Sequence, residues 1–279
     1  MSFSMNQFYQ SIGISKQAVH QYNGRQIKFD HQVERLVMRA ELLRKVHPGC
    51  GVEKMYYVLK PDFIGRDRFI ELFMDLGFGL KRKRNRKRTT YAGKYHYPNL
   101  IKGQEVSSPG VVWQSDITYI QVGDRFYYAV FIIDVFSKQI VGYQVANHMR
   151  TDINLAALKM ALAAHGPPKV HHSDRGVQYT SRDYTDLLKE QGIHISMGLT
   201  AEDNAYAERL NRTIKEEYLD YWKPKDFKRL KGCLRQAVNH YNSARPHRSL
   251  DYQVPDEYKS GKTITIFNNQ TISKPVNSI

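Results

Sequence analysis

The stretch VVWQSDITYI (111–120) sets an aspartate, Asp116, inside an apolar run with the composition of a strand. A carboxylate in or just beyond a buried strand is costly unless it is paired or metal-bound. Two other acidic residues stand in similar places. Asp174 closes the short run PKVHHSD (168–174), and Glu208 lies in NAYAERLNRTIK (204–215). Three such carboxylates on a chain of net charge +15 point to a divalent-metal site acting on phosphates.

The segments around Asp116 read as a meander. After the strand 111–120, Gly123-Asp124 predicts a turn and 126–133 a second strand. Ser137-Lys138 then turns the chain into a third, 139–146. Thr151 or Asp152 is placed to cap a helix reaching about residue 165, where Gly166-Pro167-Pro168 stops it. Residues 169–172 form a short strand that delivers Asp174. Ser181 caps a helix carrying Tyr184, Leu187 and Leu188, and 193–197 is the last strand. Asp203 or Asn204 starts the helix bearing Glu208. Three antiparallel strands, then helix–strand units and a final helix, predict an α/β fold: a mixed sheet flanked by helices. This core is assigned 111–222. Phe227, Leu230, Leu234, Val238 and Tyr241 mark a helical extension over 223–260. A polar tail, 261–279, is either without structure or an edge hairpin.

Upstream, 8–22 predicts a short helical hairpin, with Gly13 at the turn and Ser15 as a cap. Val33, Leu36, Val37, Ala40, Leu42 and Leu43 mark a second helical unit, ended by His47-Pro48-Gly49. Val52, Met55, Tyr56 and Leu59 form one further apolar face, and Phe69, Leu72, Phe73 and Leu76 another, stopped by Gly77. We divide this region into an N-terminal helical segment (1–40), a small all-α helix-turn-helix domain (41–80) and a basic linker (81–110). Residues 1–100 carry 19 Lys or Arg against 8 Asp or Glu, whereas 101–279 carry 23 against 19. The excess concentrates in Lys81, Arg82, Lys83, Arg84, Arg86, Lys87 and Arg88, a run expected to contact DNA phosphates.

A hydrophobic content of 41% and a mean hydropathy of −0.57 fit a soluble globular protein. No stretch approaches the roughly 20 apolar residues of a membrane span. The start MSFSMNQFYQSIG lacks the pattern of a secretory signal. Two distant cysteines, Cys50 and Cys233, argue against a disulfide framework or zinc finger and fit a reducing cytosol.

The candidate ligands are all oxygens, which selects Mg²⁺, or Mn²⁺ in its place, and two-metal phosphoryl transfer uses a pair of ions. Asp116 is expected to bridge them, with Asp174 and Glu208 each completing one shell. Gly176 lets the backbone pass close to Asp174, and His172 is expected to line the metal pocket or the scissile phosphate. His171 reads as a packing or surface residue. Glu208, Arg212 and Lys215 share one helical face, so two cations stand ready for a DNA phosphate. Asp124 reads as a turn residue and Asp134 as a strand-end residue. Glu216 and Glu217 share the helix of Glu208 without its loop context.

HSDRGVQYTS (172–181), SMGLTAEDNAYAERLNRTIKEEYL (196–219) and YNSARPHRSL (241–250) closely resemble the catalytic domain of bacterial insertion-sequence transposases. The match is to the family whose elements carry two overlapping reading frames, and to its downstream-frame product. That resemblance implies a ribonuclease H-like Asp-Asp-Glu core shared with retroviral integrases, with Asp116, Asp174 and Glu208 as the catalytic triad. It places Asn204, Arg245, Pro246 and His247 near the DNA or the active centre. It implies cleavage at element ends and strand transfer of the 3′ hydroxyls into DNA. The implied partners are double-stranded DNA (terminal inverted repeats and target), a second copy of the chain, and an upstream-frame protein. No membrane is involved, and the setting is the bacterial cytoplasm at the nucleoid. Two rival readings share the basic features: a catalytically idle DNA-binding regulator and a structure-specific nuclease of the same fold. One departure stands out. Thirty-three residues separate Asp174 from Glu208, about two fewer than is usual in the superfamily, which predicts a shortened loop between Met197 and Asp203.

Overall fold

Residues 5–80, 97–198, 200–258, 263–266 and 271–274 are described by the computed structural model. The chain divides into two compact units: Met1–Val46 with Cys50–Lys81, and His47–Gly49 with Arg82–Ile279.

The first unit is helical: α1 (Met5–Ser11), α2 (Lys16–Val46), α3 (Val52–Leu59) and α4 (Arg66–Asp75). Gly13 makes the first turn at φ +70°, and the Ser15 hydroxyl accepts the Ala18 N–H at 3.1 Å, as a cap should. The helix it starts does not stop near residue 22. It runs for 31 residues across the expected 40/41 boundary, because Gly24 costs it only about 1 kcal/mol and no proline intervenes before Pro48. Leu36, Ala40, Met55, Leu59, Phe69 and Phe73 bury a common core, with Phe69 stacked on Phe73 at 4.1 Å. Lys60 enters the left-handed region to end α3, and Arg39 donates to the Leu59 carbonyl at 2.8 Å, satisfying an acceptor the helix end leaves open. The basic run 81–88 lies outside the described residues.

The second unit is built on a five-stranded sheet of order β4-β3-β2-β5-β6. Its strands are β2 (Val112–Val122), β3 (Arg125–Asp134), β4 (Ile140–Ala146), β5 (Val170–Ser173) and β6 (His194–Met197); β1 is the short Glu105–Val106. β2, β3 and β4 form the antiparallel meander, and β5 and β6 add parallel to β2. β3 is apolar on both faces because both are covered. Ala129, Phe131 and Ile133 pack toward α7 (Ala205–Ile214) and α9 (Phe227–Ser243). Val130 and Ile132 pack toward α5 (Thr151–His165) and α6 (Arg182–Glu190). The result is a mixed sheet between two helical layers.

Local signals mostly end these elements where expected. Gly166, at φ +72°, closes α5. The helix starts differ: α5 begins after Arg150 with no side-chain cap, and the Ser181 hydroxyl donates back to the Gln178 carbonyl rather than capping α6. In β4, a Cβ at Gly142 would lie 2.4 Å from the Ala157 carbonyl, so only glycine lets α5 approach this closely. Of the two readings of the tail, the hairpin is the one formed. β7 (Thr263–Ile266) and β8 (Thr271–Lys274) pair antiparallel and extend β1.

Candidate active site

The β2–β5 ladder ends at the pair Ser115↔Ser173. The next residue on each strand is Asp116 and Asp174, so register alone sets two carboxylates side by side where the strands part. Burial and then the Asp174 charge, with a smaller push from Glu208, raise the Asp116 carboxyl to about 7. The Ile117 N–H at 2.9 Å and the Asn211 amide at 2.8 Å work against that rise. Burial raises Asp174 as well, offset by the Gly176 N–H at 3.0 Å. A Cβ on Gly176 would stand 3.0 Å from the Asp174 Oδ1, so the tight loop requires glycine. Glu208 is exposed in the first turn of α7. The three carboxylates are within electrostatic reach, yet among the described residues no three His, Cys, Asp or Glu side chains are grouped as a metal cage.

Three side-chain amides brace this arrangement, and the sequence points to only one of them. Gln114, fully buried in β2, accepts the N–H groups of Tyr206 (3.1 Å) and Ala207 (3.4 Å), and donates to the Asp203 carbonyl at 3.3 Å. It thereby caps α7 from the strand. Asn204 donates to the Ser115 carbonyl at 2.9 Å, and Asn211 holds Asp116. A polar residue in the middle of the buried run VVWQSDITYI is the available signal for Gln114. Asp203 accepts the Thr200 N–H at 3.1 Å, so the short loop still ends in an ordered turn, Ala201–Asn204, that starts α7 correctly.

His172 is fully buried and shares a 2.8 Å hydrogen bond with Ser196. Burial lowers it to about 4, leaving a neutral ring under Gly198, whose Cβ would sit 3.1 Å from Nε2. It packs beneath the loop after β6, bonded to Ser196. His171 is a core residue, bonded to the Tyr184 hydroxyl at 3.1 Å. Asp134 caps its own turn through Ser137 and the Gly110 N–H, as a strand-end residue does.

Among the expected DNA-contacting cations, Arg212 is exposed on α7. Lys215 is partly buried at the start of a π-helical turn, Lys215–Leu219. Arg245 and His247 are not surface groups. Arg245 makes two 2.8 Å bonds to Glu217 and one of 3.0 Å to His247, and both are buried. Glu217 also bonds His47 at 2.7 Å and takes the Gly49 N–H on its carbonyl at 2.9 Å.

Ionisation of Asp116 works against the metal-free fold. Its folded value near 7 exceeds the usual carboxylate value near 4. The unfolded chain therefore releases the proton first, and stability falls as pH rises from about 4 to about 7. In chelator, Asp116→Asn should melt a few °C above wild type at pH 8, with the gap closing near pH 4. A gap that does not change with pH would show that the carboxyl titrates normally.

Two family profiles, both described as integrase core domain, match residues 106–201 and 191–255. The transposase for insertion sequence element IS629 of Shigella sonnei is 37% identical over 164 residues, covering 58% of this chain and 55% of that protein. An uncharacterized 31 kDa protein of insertion element IS600, also from Shigella sonnei, is 31% identical over 204 residues. There the match covers 70% of this chain and 75% of the other. The chain thus spans about half the length of the IS629 protein and three-quarters of the IS600 one. The simian T-cell lymphotropic virus intasome, solved by cryo-electron microscopy with PP2A regulatory subunit B56 gamma, contains a chain of the same fold. The TM-score is 0.52 at 15% identity, over 77% of this chain and 72% of that one. The sheet order, the profile matches and the IS600 relative agree: this chain belongs to the bacterial insertion-sequence transposases of the retroviral integrase superfamily.

Proposed function

We propose that the chain cuts DNA at the ends of its own insertion element and joins the freed 3′ ends to DNA, with Asp116, Asp174 and Glu208 as the acidic centre. The observation that carries this reading is the pairing of Asp116 and Asp174 where β2 and β5 part, in a chain of this family. The donor set fits Mg²⁺ or Mn²⁺: three carboxylates, oxygen only, one raised to about 7 by burial and its neighbours' charge. Asp116, Asp174 and Glu208 would hold such ions, a pair of them on this reading, and metal bound there would supply activation of the attacking hydroxyl and charge neutralisation at the leaving oxygen.

The protein's own groups supply the rest. Asn211 and the Ile117 N–H fix the Asp116 carboxylate, and the Gly176 N–H fixes Asp174. Arg212 and Lys215 lie one and two turns beyond Glu208, where they bind the phosphates flanking the scissile bond. α3 and α4 serve as the helix-turn-helix that reads the duplex, and 81–88 adds phosphate contacts. Both ends must be held for joining, so the active form is at least a dimer on DNA, with an upstream-frame protein as a further partner and the bacterial nucleoid as the setting.

The decisive assay incubates the chain with labelled element-end DNA and Mg²⁺. Joined products support the proposal. Binding without cleavage marks a regulator, and sequence-blind cleavage marks a nuclease. Metal fit has a separate readout: Mn²⁺ should raise the melting temperature of wild type and leave Asp116→Asn nearly unmoved. Neutralising the seven basic residues of 81–88 should weaken binding to end and non-end DNA alike. It should also flatten the slope of log affinity against log salt by about 0.9 for each DNA phosphate that is no longer neutralised. An unchanged slope assigns the run to solvent or a protein partner.

A further inference from the structure

α9 follows the short α8 (Asp220–Trp222) and is capped by Asp226, which accepts the Arg229 N–H at 2.8 Å. Its buried side, with Leu230, Leu234 and Ala237, packs into the core it shares with β3 and α7. Phe227 stacks on Tyr127 of β3 at 4.9 Å, and the Arg235 charge reaches Tyr143 of β4. α9 therefore lies over the β3–β4 side of the sheet, whereas Asp116 and Asp174 stand where β2 and β5 part. Its outer side is a surface separate from the acidic centre.

That outer side is basic. Lys228, Arg229, Lys231 and Arg235 are exposed, and the helix holds no Asp or Glu. Lys228, Lys231 and Arg235 fall at i, i+3 and i+7, which sets them in one row. Lys231 is held over the Phe227 ring at 4.5 Å, so part of the row is ordered before any ligand arrives. Among the described residues none of the four cations makes an ion pair. The helices on the other face of the sheet differ. α5 and α6 carry three Lys or Arg against four Asp or Glu, and Arg182 and Lys189 both lie beside Asp186, at 3.3 and 3.9 Å. Charge that serves solubility alone mixes both signs, as it does there. Unpaired cations in a single row are arranged for an anion from outside the chain.

We propose that this row on α9 binds the phosphates of a DNA duplex, and that the duplex is the target into which the ends are joined. The row is about 10 Å long, the axial length of about three phosphates on one strand. Phosphate contacts fix a duplex in place without reading its sequence. That suits DNA of no fixed sequence, whereas element ends need base contacts, assigned above to α3 and α4. The target assignment rests on the strand-transfer reading; the phosphate-binding row stands without it.

The test uses the full chain and a random-sequence duplex. Changing Lys228, Lys231 and Arg235 together to Gln should weaken binding at least about tenfold at moderate salt, and flatten the slope of log affinity against log salt by about 0.9 for each of the three contacts. Lys159→Gln, Arg182→Gln and Lys189→Gln together remove the same charge from α5 and α6 and should do neither. A variant that keeps the charge, Lys228→Arg with Lys231→Arg and Arg235→Lys, should bind as wild type does. In joining assays with element ends at saturation, the α9 glutamine variant should need about tenfold more target to reach half its maximal rate, with that maximal rate kept. Binding of random duplex through the row without joining by wild type would keep the row and overturn the strand-transfer reading. Joining by wild type with the two glutamine variants alike would overturn the row. A loss confined to element-end duplex would overturn the assignment to the target.

Discussion

Converting Asp116 to asparagine should lower strand joining about a thousandfold or more, with affinity for element-end DNA kept within a few-fold. An amide keeps the shape and can still meet Asn211 and the Ile117 N–H, so the fold survives. It cannot carry the negative charge that a bridging ligand needs, and losing about 4 kcal/mol of transition-state stabilisation corresponds to that factor. Asp174→Asn and Glu208→Gln should behave alike, because affinity rests on phosphate and base contacts made elsewhere. Single-turnover joining and a binding titration on the same DNA make the comparison. A variant that joins near-normally in Mg²⁺ loses its place in the centre.

Glu217→Ala should destabilise the second unit by about 3–5 kcal/mol, since it leaves the Arg245 guanidinium and His47 buried without their shared acid. For a unit of this size that is a fall of roughly 10 °C in melting temperature. Glu217→Gln, which keeps the volume and some of the hydrogen bonds, should cost clearly less. Arg245→Ala offers the sharper comparison. If Arg245 were a DNA ligand, its removal would weaken binding and spare stability; the geometry expects the reverse. Thermal melts and DNA titrations of the three variants decide between them.

Much of the fold is readable because its signals are local. Gly123-Asp124, Gly166-Pro167-Pro168 and Gly13 act within a few residues of themselves, so the meander and most helix ends emerge from the chain order. The parallel placement of β5 against β2 follows from alternating helix and strand, and it brings Asp116 and Asp174 together. What stays hidden depends on distant partners. Gln114 meets α7 92 residues away, and Asn211 meets Asp116 95 residues away. The buried pairing of Arg245 is hidden because its acid, Glu217, lies 28 residues earlier on a π turn that periodicity does not reveal. The length of α2 is hidden for a different reason. Only Leu36 and Ala40 are buried along it, so its first half carries no apolar stripe to follow.

The bracing of α7 against β2 has a consequence for working conditions. Gln114, Asn204 and Asn211 are neutral amides, and their bonds to the backbone and to Asp116 are short and largely shielded from solvent. Ionic strength screens the lysine and arginine contacts to a polyanion but acts weakly on such bonds. The same amides do not ionise in the physiological range, so their own donor and acceptor roles do not change with pH. Rising salt should therefore release the nucleic acid well before it disturbs the acidic centre, and a protein dialysed out of high salt should regain its centre without refolding.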